Sequence, residues 1–169
     1  MLKVGILGVG GISSAHISGW KQLENAKLVA MCDIRPERME KYEGVNKYLS
    51  FQEMINNEQL DILDICLPTY LHAEYSMMAM EKGINVLCEK PMATSAKEAM
   101  QMKEAAEKNG KLLMIGFVRR FGNDCKVLEE FIDTDFFGDI YYGKATYLRR
   151  HGSPGGWFGD KSRSAGGPL

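Results

Sequence analysis

Directly behind the apolar run Lys3–Leu7 the chain places Gly8-Val-Gly10-Gly11-Ile12-Ser13, and a helix-period segment, Gly11–Leu23, follows at once. Few folds accept such a turn between a strand and a helix. Its first glycine makes the bend, and its second lets the backbone approach a pyrophosphate. The third motif position needs a small residue so that strand and helix pack closely, and Ser13 fills it. The helix behind it presents its N-terminal N–H groups and the positive end of its dipole to phosphates. Standing alone, a glycine-rich turn is only a tight turn. Here Asp33 ends the second apolar run about twenty residues further on, where a carboxylate accepts hydrogen bonds from a dinucleotide's ribose hydroxyls. Strand, turn, helix and acid together point to a dinucleotide site.

The rest of the first two-thirds repeats that alternation. Lys3–Leu7, Lys27–Cys32, Ile62–Cys66, Asn85–Cys88 and Leu112–Ile115 are short apolar runs of strand length, with Val45–Leu49 a weaker sixth. Between them lie helix-period segments at Gly11–Leu23, Pro36–Tyr42, Phe51–Asn56, Tyr70–Lys82 and Ser95–Lys108. Near-continuous apolar runs belong to strands covered on both faces. Tyr70–Lys82 sets Leu71, Tyr75, Met78 and Ala79 on one predicted face. Ser95 with Glu98 has the form of a capping box, and Gly83 and Gly110 stand where helices should stop. The expectation is an α/β fold: a Rossmann-type, doubly wound parallel sheet in the order 3-2-1-4-5-6, with right-handed crossovers, over residues 1–118.

Residues 119–169 read differently. Asp124–Thr134 has a helical pattern, Asp139–Arg150 is rich in β-branched and aromatic residues and is expected to be a strand, and His151–Leu169 is a Gly- and Pro-rich irregular loop. One strand and such a tail cannot bury themselves as an independent unit. We expect residues 119–169 to open a second, incomplete α+β domain.

Charge is balanced, with 21 Lys+Arg against 22 Asp+Glu. That leaves no basic field for nonspecific nucleic-acid binding. No apolar run approaches the roughly 20 residues of a membrane span, and the first residues lack an export leader, so a cytoplasmic setting is expected. Cys32, Cys66, Cys88 and Cys125 show no C-x-x-C and no ligand spacing. They are expected to be reduced thiols, mostly buried, and no metal site is expected.

Three segments carry the chemistry. Asp33 favours NAD, since it repels a 2′-phosphate by roughly 4 kcal/mol per unit pair at 4 Å near a surface. Arg35 and Arg38 either compensate, leaving NADP possible, or are solvated helix-start charges. Pro68-Thr69-Tyr70-Leu71-His72 follows the fourth strand, where loops line the ligand crevice of an open sheet. Thr69 either caps the next helix or meets a cofactor, and His72 is expected near the crevice rather than on the packed face. Glu89-Lys90-Pro91 follows the fifth strand. A lysine there can donate to a substrate oxygen or move a proton; the alternative is a surface ion pair with Glu89, worth little.

Together these segments resemble the glucose-fructose oxidoreductase / inositol dehydrogenase / rhizopine-catabolism (Gfo/Idh/MocA) family. The resemblance runs through G-V-G-G-I-S, C-D-I-R-P-E-R, L-P-T-Y-L-H and G-I-N-V-L-C-E-K-P-M-A, then G-F-V-R-R-F, G-D-I-Y-Y-G-K-A-T-Y-L-R-R, G-G-W-F-G-D-K and S-A-G-G-P-L. It implies an NAD(P)-dependent oxidoreductase moving a hydride between nicotinamide and a hydroxyl or carbonyl of a sugar, inositol or related polyol. By the same resemblance Gly8, Gly10, Gly11 and Ile12 form the pyrophosphate turn, and Asp33 with Ile34 meets the adenosine ribose. Pro68, Thr69 and His72 meet the cofactor's central part. Glu89 and Lys90 flank the nicotinamide, Lys90 being the catalytic contact to the reacting hydroxyl, and Trp157 and Phe158 belong to a loop that closes over the cofactor. Val118 replaces a small polar residue frequent in relatives, and Arg120 matches a frequent arginine. The family's catalytic Asp and His would lie beyond Leu169, so this chain is expected to hold a whole cofactor domain and to be inactive alone. A homo-oligomer is implied for the full-length enzyme. A non-catalytic dinucleotide-binding module is the alternative.

Overall fold

In the computed structural model, residues 1–148, 150 and 155–164 are described. The apolar runs become β1 (Leu2–Leu7), β2 (Ala26–Cys32), β3 (Asn46–Tyr48), β4 (Ile62–Ile65), β5 (Asn85–Cys88) and β6 (Leu113–Ile115). They form one parallel sheet in the order β3-β2-β1-β4-β5-β6. This is the expected doubly wound α/β fold, and β1 and β4 neighbour each other where the winding reverses.

Strand periodicity sorts the side chains into two cores. On one face Leu7, Leu63, Ile65, Val86 and Cys88 pack under α2 (Phe51–Asn57), α3 (His72–Glu81) and α4 (Ala96–Asn109). On the other, Val4, Ile6, Leu28 and Met31 pack under α1 (Ser13–Trp20) through Ile17. Asp64 alternates with Leu63 and Ile65 and therefore faces α1. Glu89 alternates with Cys88 and turns the same way.

Several helices differ from the periodic reading. α1 is shorter than Gly11–Leu23, because Gly10 and Gly11 stay in the turn. Pro36–Tyr42 yields only a 3₁₀ turn, Pro36–Arg38. α3 begins at His72 after a 3₁₀ turn, Thr69–Leu71. Its buried face is His72, Ala73, Ser76, Ala79 and Met80, so of the predicted face only Ala79 is fully buried. Small and polar residues fit closest to the strands there, while Tyr75 sits at the margin, edge-on to Phe51. α4 is capped at both ends: Ser95 Oγ accepts the Glu98 N–H, and Gly110 takes a left-handed conformation at φ 60°.

Beyond Gly116 none of the described residues is buried. α5 (Asn123–Asp133) matches the helical expectation. The expected strand Asp139–Arg150 is not formed: residues 139–148 are exposed coil, and Arg149 lies outside the described residues. Its composition suits a strand, but it pairs with no strand among the described residues. Within the segment read as irregular loop, Gly156–Gly159 forms a 3₁₀ turn and Lys161–Ser164 a one-turn helix, α6. Asp160 starts that turn by accepting the Ser162 N–H and hydroxyl. Residues 151–154 and 165–169 lie outside the described residues. Among the described residues no helix is long and apolar enough to cross a membrane.

Candidate functional site

The glycine turn occupies the crevice where β1 ends beside β2 and β4. Gly8 adopts φ +92°, and a Cβ there would lie 2.8 Å from the Cys66 carbonyl oxygen. Its N–H donates to Cys32 O at 2.8 Å, so only glycine makes this bend between the two strands. At Gly10 and Gly11 an added Cβ would meet nothing within 4 Å. The backbone is therefore open toward solvent, and no side chain caps the N-terminus of α1. Ser13 is buried, and its hydroxyl donates to Gly10 O at 2.7 Å, satisfying the one polar atom that this close packing hides.

Asp33 is tied into the same turn. Its Oδ2 accepts the Val9 N–H at 2.7 Å and Arg38 Nη1 at 3.2 Å, and its Oδ1 accepts the Arg35 N–H at 2.9 Å. Arg38 is thus engaged with the acid rather than displayed beside it. Ile34 is exposed next to it. Across the crevice Pro68 is half-buried and Thr69 buried. Thr69 does not cap α3, whose N-terminus has no side-chain cap.

His72 departs from its expected place. It is buried on the packed side of α3, with Nδ1 2.8 Å from Pro91 O and Nε2 2.8 Å from Leu67 O. Those carbonyls belong to the two loops that leave β4 and β5, so the ring ties one loop to the other instead of facing the crevice. The reason is local: the 3₁₀ turn rotates α3 so that His72 points inward.

Glu89 also departs from the surface-pair alternative. It is buried, and its tie to Lys90 is the backbone N–H of Lys90 donating to Oε2 at 3.1 Å. Among the described residues no ion pair joins the two side chains. Lys90 itself is exposed and precedes a cis peptide to Pro91. Glu89 Oε1 instead lies 3.1 Å from Nε2 of His16, whose Nδ1 is 2.9 Å from both oxygens of Asp64. Asp64 is completely buried and also accepts the Trp20 indole N–H at 2.6 Å. These contacts push the His16 imidazole up to about 12, the bond to Asp64 contributing most, then Cys66 and Glu89. Burial pulls the Glu89 carboxyl upward, but the contacts with His16 and Lys90 outweigh it and the net shift is down.

This cluster was missed by the sequence reading. A signal was present, because Asp64 interrupts an apolar run, and a charge inside a buried strand must find a partner. Nothing in the sequence named that partner as His16. His16, Asp64 and Cys66 bring donor atoms within 4.8 Å of one another, but these donors are spent on each other. The Cys66 thiol is pushed up to about 11, chiefly by burial, and so stays protonated at neutral pH. Cys32 and Cys88 are likewise buried free thiols.

Trp157 and Phe158 stack on each other with centroids 4.0 Å apart. α6, just beyond them, places the Arg163 guanidinium 5.8 Å from the Tyr70 ring centroid. The pair therefore lies on the same side as the Thr69–Leu71 turn.

Comparison with known proteins gives a consistent picture. Residues 2–117 match the GFO_IDH_MocA family model, an oxidoreductase family with an NAD-binding Rossmann fold. The chain is 36% identical to the D-glucoside 3-dehydrogenase of Escherichia coli over 174 aligned positions, covering 99% of this chain and 50% of that protein. Among solved structures, the WlbA dehydrogenase from Bordetella pertussis, in complex with NADH and UDP-GlcNAcA, superposes with a TM-score of 0.80 at 29% identity. That match covers 83% of this chain and 44% of the other. The scyllo-inositol dehydrogenase from Lactobacillus casei with bound NAD(H) and scyllo-inositol gives 0.78 at 25% identity, over 83% of this chain and 43% of the other. The chain spans about half the length of the curated relatives it matches.

Proposed function

The chain belongs to the Gfo/Idh/MocA oxidoreductase family, and from that premise we propose that it is the cofactor-binding part of an NAD-dependent dehydrogenase acting on a sugar, inositol or related polyol. The observation that carries the reading is the open glycine turn at the uncapped start of α1, with Asp33 bonded to the Val9 N–H inside it. That arrangement fits a dinucleotide. Gly10, Gly11 and Ile12 offer backbone N–H groups to the pyrophosphate beside the positive end of α1. Asp33, with Ile34 beside it, receives the adenosine ribose. Pro68 and Thr69 border the central part, and His72 serves it by holding the Leu67 and Pro91 carbonyls. Trp157 and Phe158 close over the cofactor.

When bound, the nicotinamide accepts or supplies the hydride. The chain's own contribution to the chemistry is Lys90. Its Nζ donates a hydrogen bond to the reacting oxygen, and in the alcohol-oxidising direction it lowers the cost of releasing the hydroxyl proton. Glu89, turned inward, keeps its carboxylate out of that hydrogen bond. Residues 1–118 form the dinucleotide domain and 119–169 the opening of the substrate domain. With this activity go a cytoplasmic setting, where nicotinamide cofactors are held, and assembly of the full-length enzyme into homo-oligomers.

Arg38 engaged with Asp33 supports NAD over NADP. Titration of the chain with NADH and NADPH, followed by cofactor fluorescence, should give saturable NADH binding at least about tenfold tighter than NADPH, a difference of about 1.4 kcal/mol. Asp33→Ala should weaken NADH more than NADPH. Absence of NADH binding up to millimolar concentrations would sink the proposal, and an equal loss for both cofactors would remove Asp33 from the ribose.

A further inference from the structure

One turn into α1, His16 projects toward the sheet and stands between carboxylates from two neighbouring strands. Its Nδ1 side is fixed: Asp64 is wholly buried in the middle of the sheet and held by the Trp20 indole N–H, so it has no freedom to move away. Its Nε2 side reaches Glu89 Oε1 at 3.1 Å. The other Glu89 oxygen takes the Lys90 N–H. Gly116 leaves the room that the carboxylate occupies: a Cβ there would come within 3.1 Å of Oε1. A continuous path of contacts therefore runs from the glycine turn through His16 and Glu89 to the backbone of Lys90.

We propose that His16 is a positioning residue which, held by the Trp20-anchored Asp64, fixes Glu89 and thereby Lys90, coupling the phosphate-binding end of α1 to the nicotinamide end of the site. This rests on the cofactor reading above. A neutral imidazole donates from one nitrogen only, whereas a protonated ring donates from both. With a carboxylate on each side, the ring is protonated throughout the physiological range, consistent with its raised pKa. The charge-assisted hydrogen bond from Nε2 then holds Glu89 more firmly than a neutral contact would, while the one from Nδ1 fixes the ring on Asp64. A residue that merely glued α1 to the sheet would affect every ligand of the crevice alike. A residue that positions Glu89 and Lys90 affects only ligands that reach them.

NADH and ADP-ribose separate these cases, because ADP-ribose lacks the nicotinamide but keeps the adenosine and pyrophosphate. The affinities of both are measured for the 169-residue chain, His16→Gln, Glu89→Gln and the double variant. Wild type should bind NADH more tightly than ADP-ribose. His16→Gln should weaken NADH about tenfold and leave ADP-ribose within about twofold. Glu89→Gln should do the same, and the double variant should be no worse than either single one, since each breaks the same path. Equal losses for the two ligands, or an NADH-to-ADP-ribose ratio unmoved in His16→Gln, overturn the inference while leaving the cofactor reading intact. A wild type that binds neither ligand overturns both. Should His16→Gln fail to fold, Glu89→Gln, which keeps the His16–Asp64 pair, carries the test with the ring ¹⁵N shifts of His16. NADH but not ADP-ribose should then move the Nε2 resonance in wild type, and identical responses overturn the proposal.

Discussion

Asp64 occupies a central strand position that would ordinarily hold valine or isoleucine, and its carboxylate has no contact with water. Burial of such a charge is tolerated only because His16, Trp20 and the Cys66 thiol all point at it. Removing one partner from a buried pair costs far more than the pair contributes, typically about 3–5 kcal/mol. The raised pKa of His16 sets the direction of the pH dependence. Its contribution is complete below the unfolded value of 6.5 and is lost as pH rises toward the folded value of about 12. Glu89 works in the opposite sense: its folded pKa lies below 4.5, so its contribution is present above that value and lost in acid. From pH ~7 to ~8.5, before the buried thiols begin to matter, unfolding free energy should fall by up to about 1.4 kcal/mol per pH unit. Asp64→Asn should lower stability at pH ~7 by about 3 kcal/mol and flatten that slope. Urea melts at several pH values check this; an unchanged slope in Asp64→Asn would show that the pair does not govern it. The places of the glycine turn behind β1 and of Asp33 behind β2 were legible in the sequence because each sits in a local pattern of strand, turn and helix. His16 was not, because its partners are distant in sequence and meet only once the sheet has formed. His72 was misplaced for a related reason: its orientation depends on a 3₁₀ turn that periodicity does not encode.

Among the elements, α4 is the one whose ends are both written in the sequence. Ser95 caps it as expected, but the reciprocal bond differs in detail. The Glu98 carboxylate reaches back to the N–H and hydroxyl of Thr94, one residue before the cap. Those bonds, the Thr94 hydroxyl contributing most, hold the Glu98 carboxyl below its usual range. The left-handed Gly110 closes the other end. Ser95→Ala should therefore cost about 1 kcal/mol in urea denaturation, and Gly110→Ala a similar amount, about 1 kcal/mol, for forcing an L residue into the left-handed region. Neither should alter NADH affinity, because neither residue belongs to the glycine turn or the Glu89–Lys90 segment; a loss of affinity in either would mean that α4 shapes the site. The contrast with residues 139–148 is instructive. Caps and turns are decided by neighbours in sequence, and the helix α4 followed from them. A strand needs an edge supplied from elsewhere, so β-rich composition at Tyr141, Tyr142 and Tyr147 produced exposed coil instead.

At the scale of the molecule, burial ends where the sheet ends. Both cores draw only on residues before Lys111 and on the two partly buried positions of β6. Past Gly116 the chain carries a row of large apolar side chains at the surface, among them Phe136, Tyr141, Tyr142 and Leu148. A monomeric domain rarely exposes so much apolar surface without a use for it; our proposal gives it one, with residues 119–169 opening a second domain. On that proposal the domain formed by residues 1–118 owes them little. Its length suits an independent fold, and its turn, Asp33, Asp64 and Glu89 are all held from within. The tail touches it through Arg163 over Tyr70 and, by our proposal, through Trp157 and Phe158 closing over the cofactor. A chain ending at residue 118 should therefore fold cooperatively and be less prone to self-association than the longer one. It should bind NADH within about tenfold of it, the difference of about 1.4 kcal/mol being the closing pair's share. Sedimentation, urea melts and NADH titration of the two chains side by side measure each part. If the shorter chain folds but loses NADH altogether, residues 119–169 belong to the cofactor site itself, and the domain boundary proposed at residue 118 is wrong.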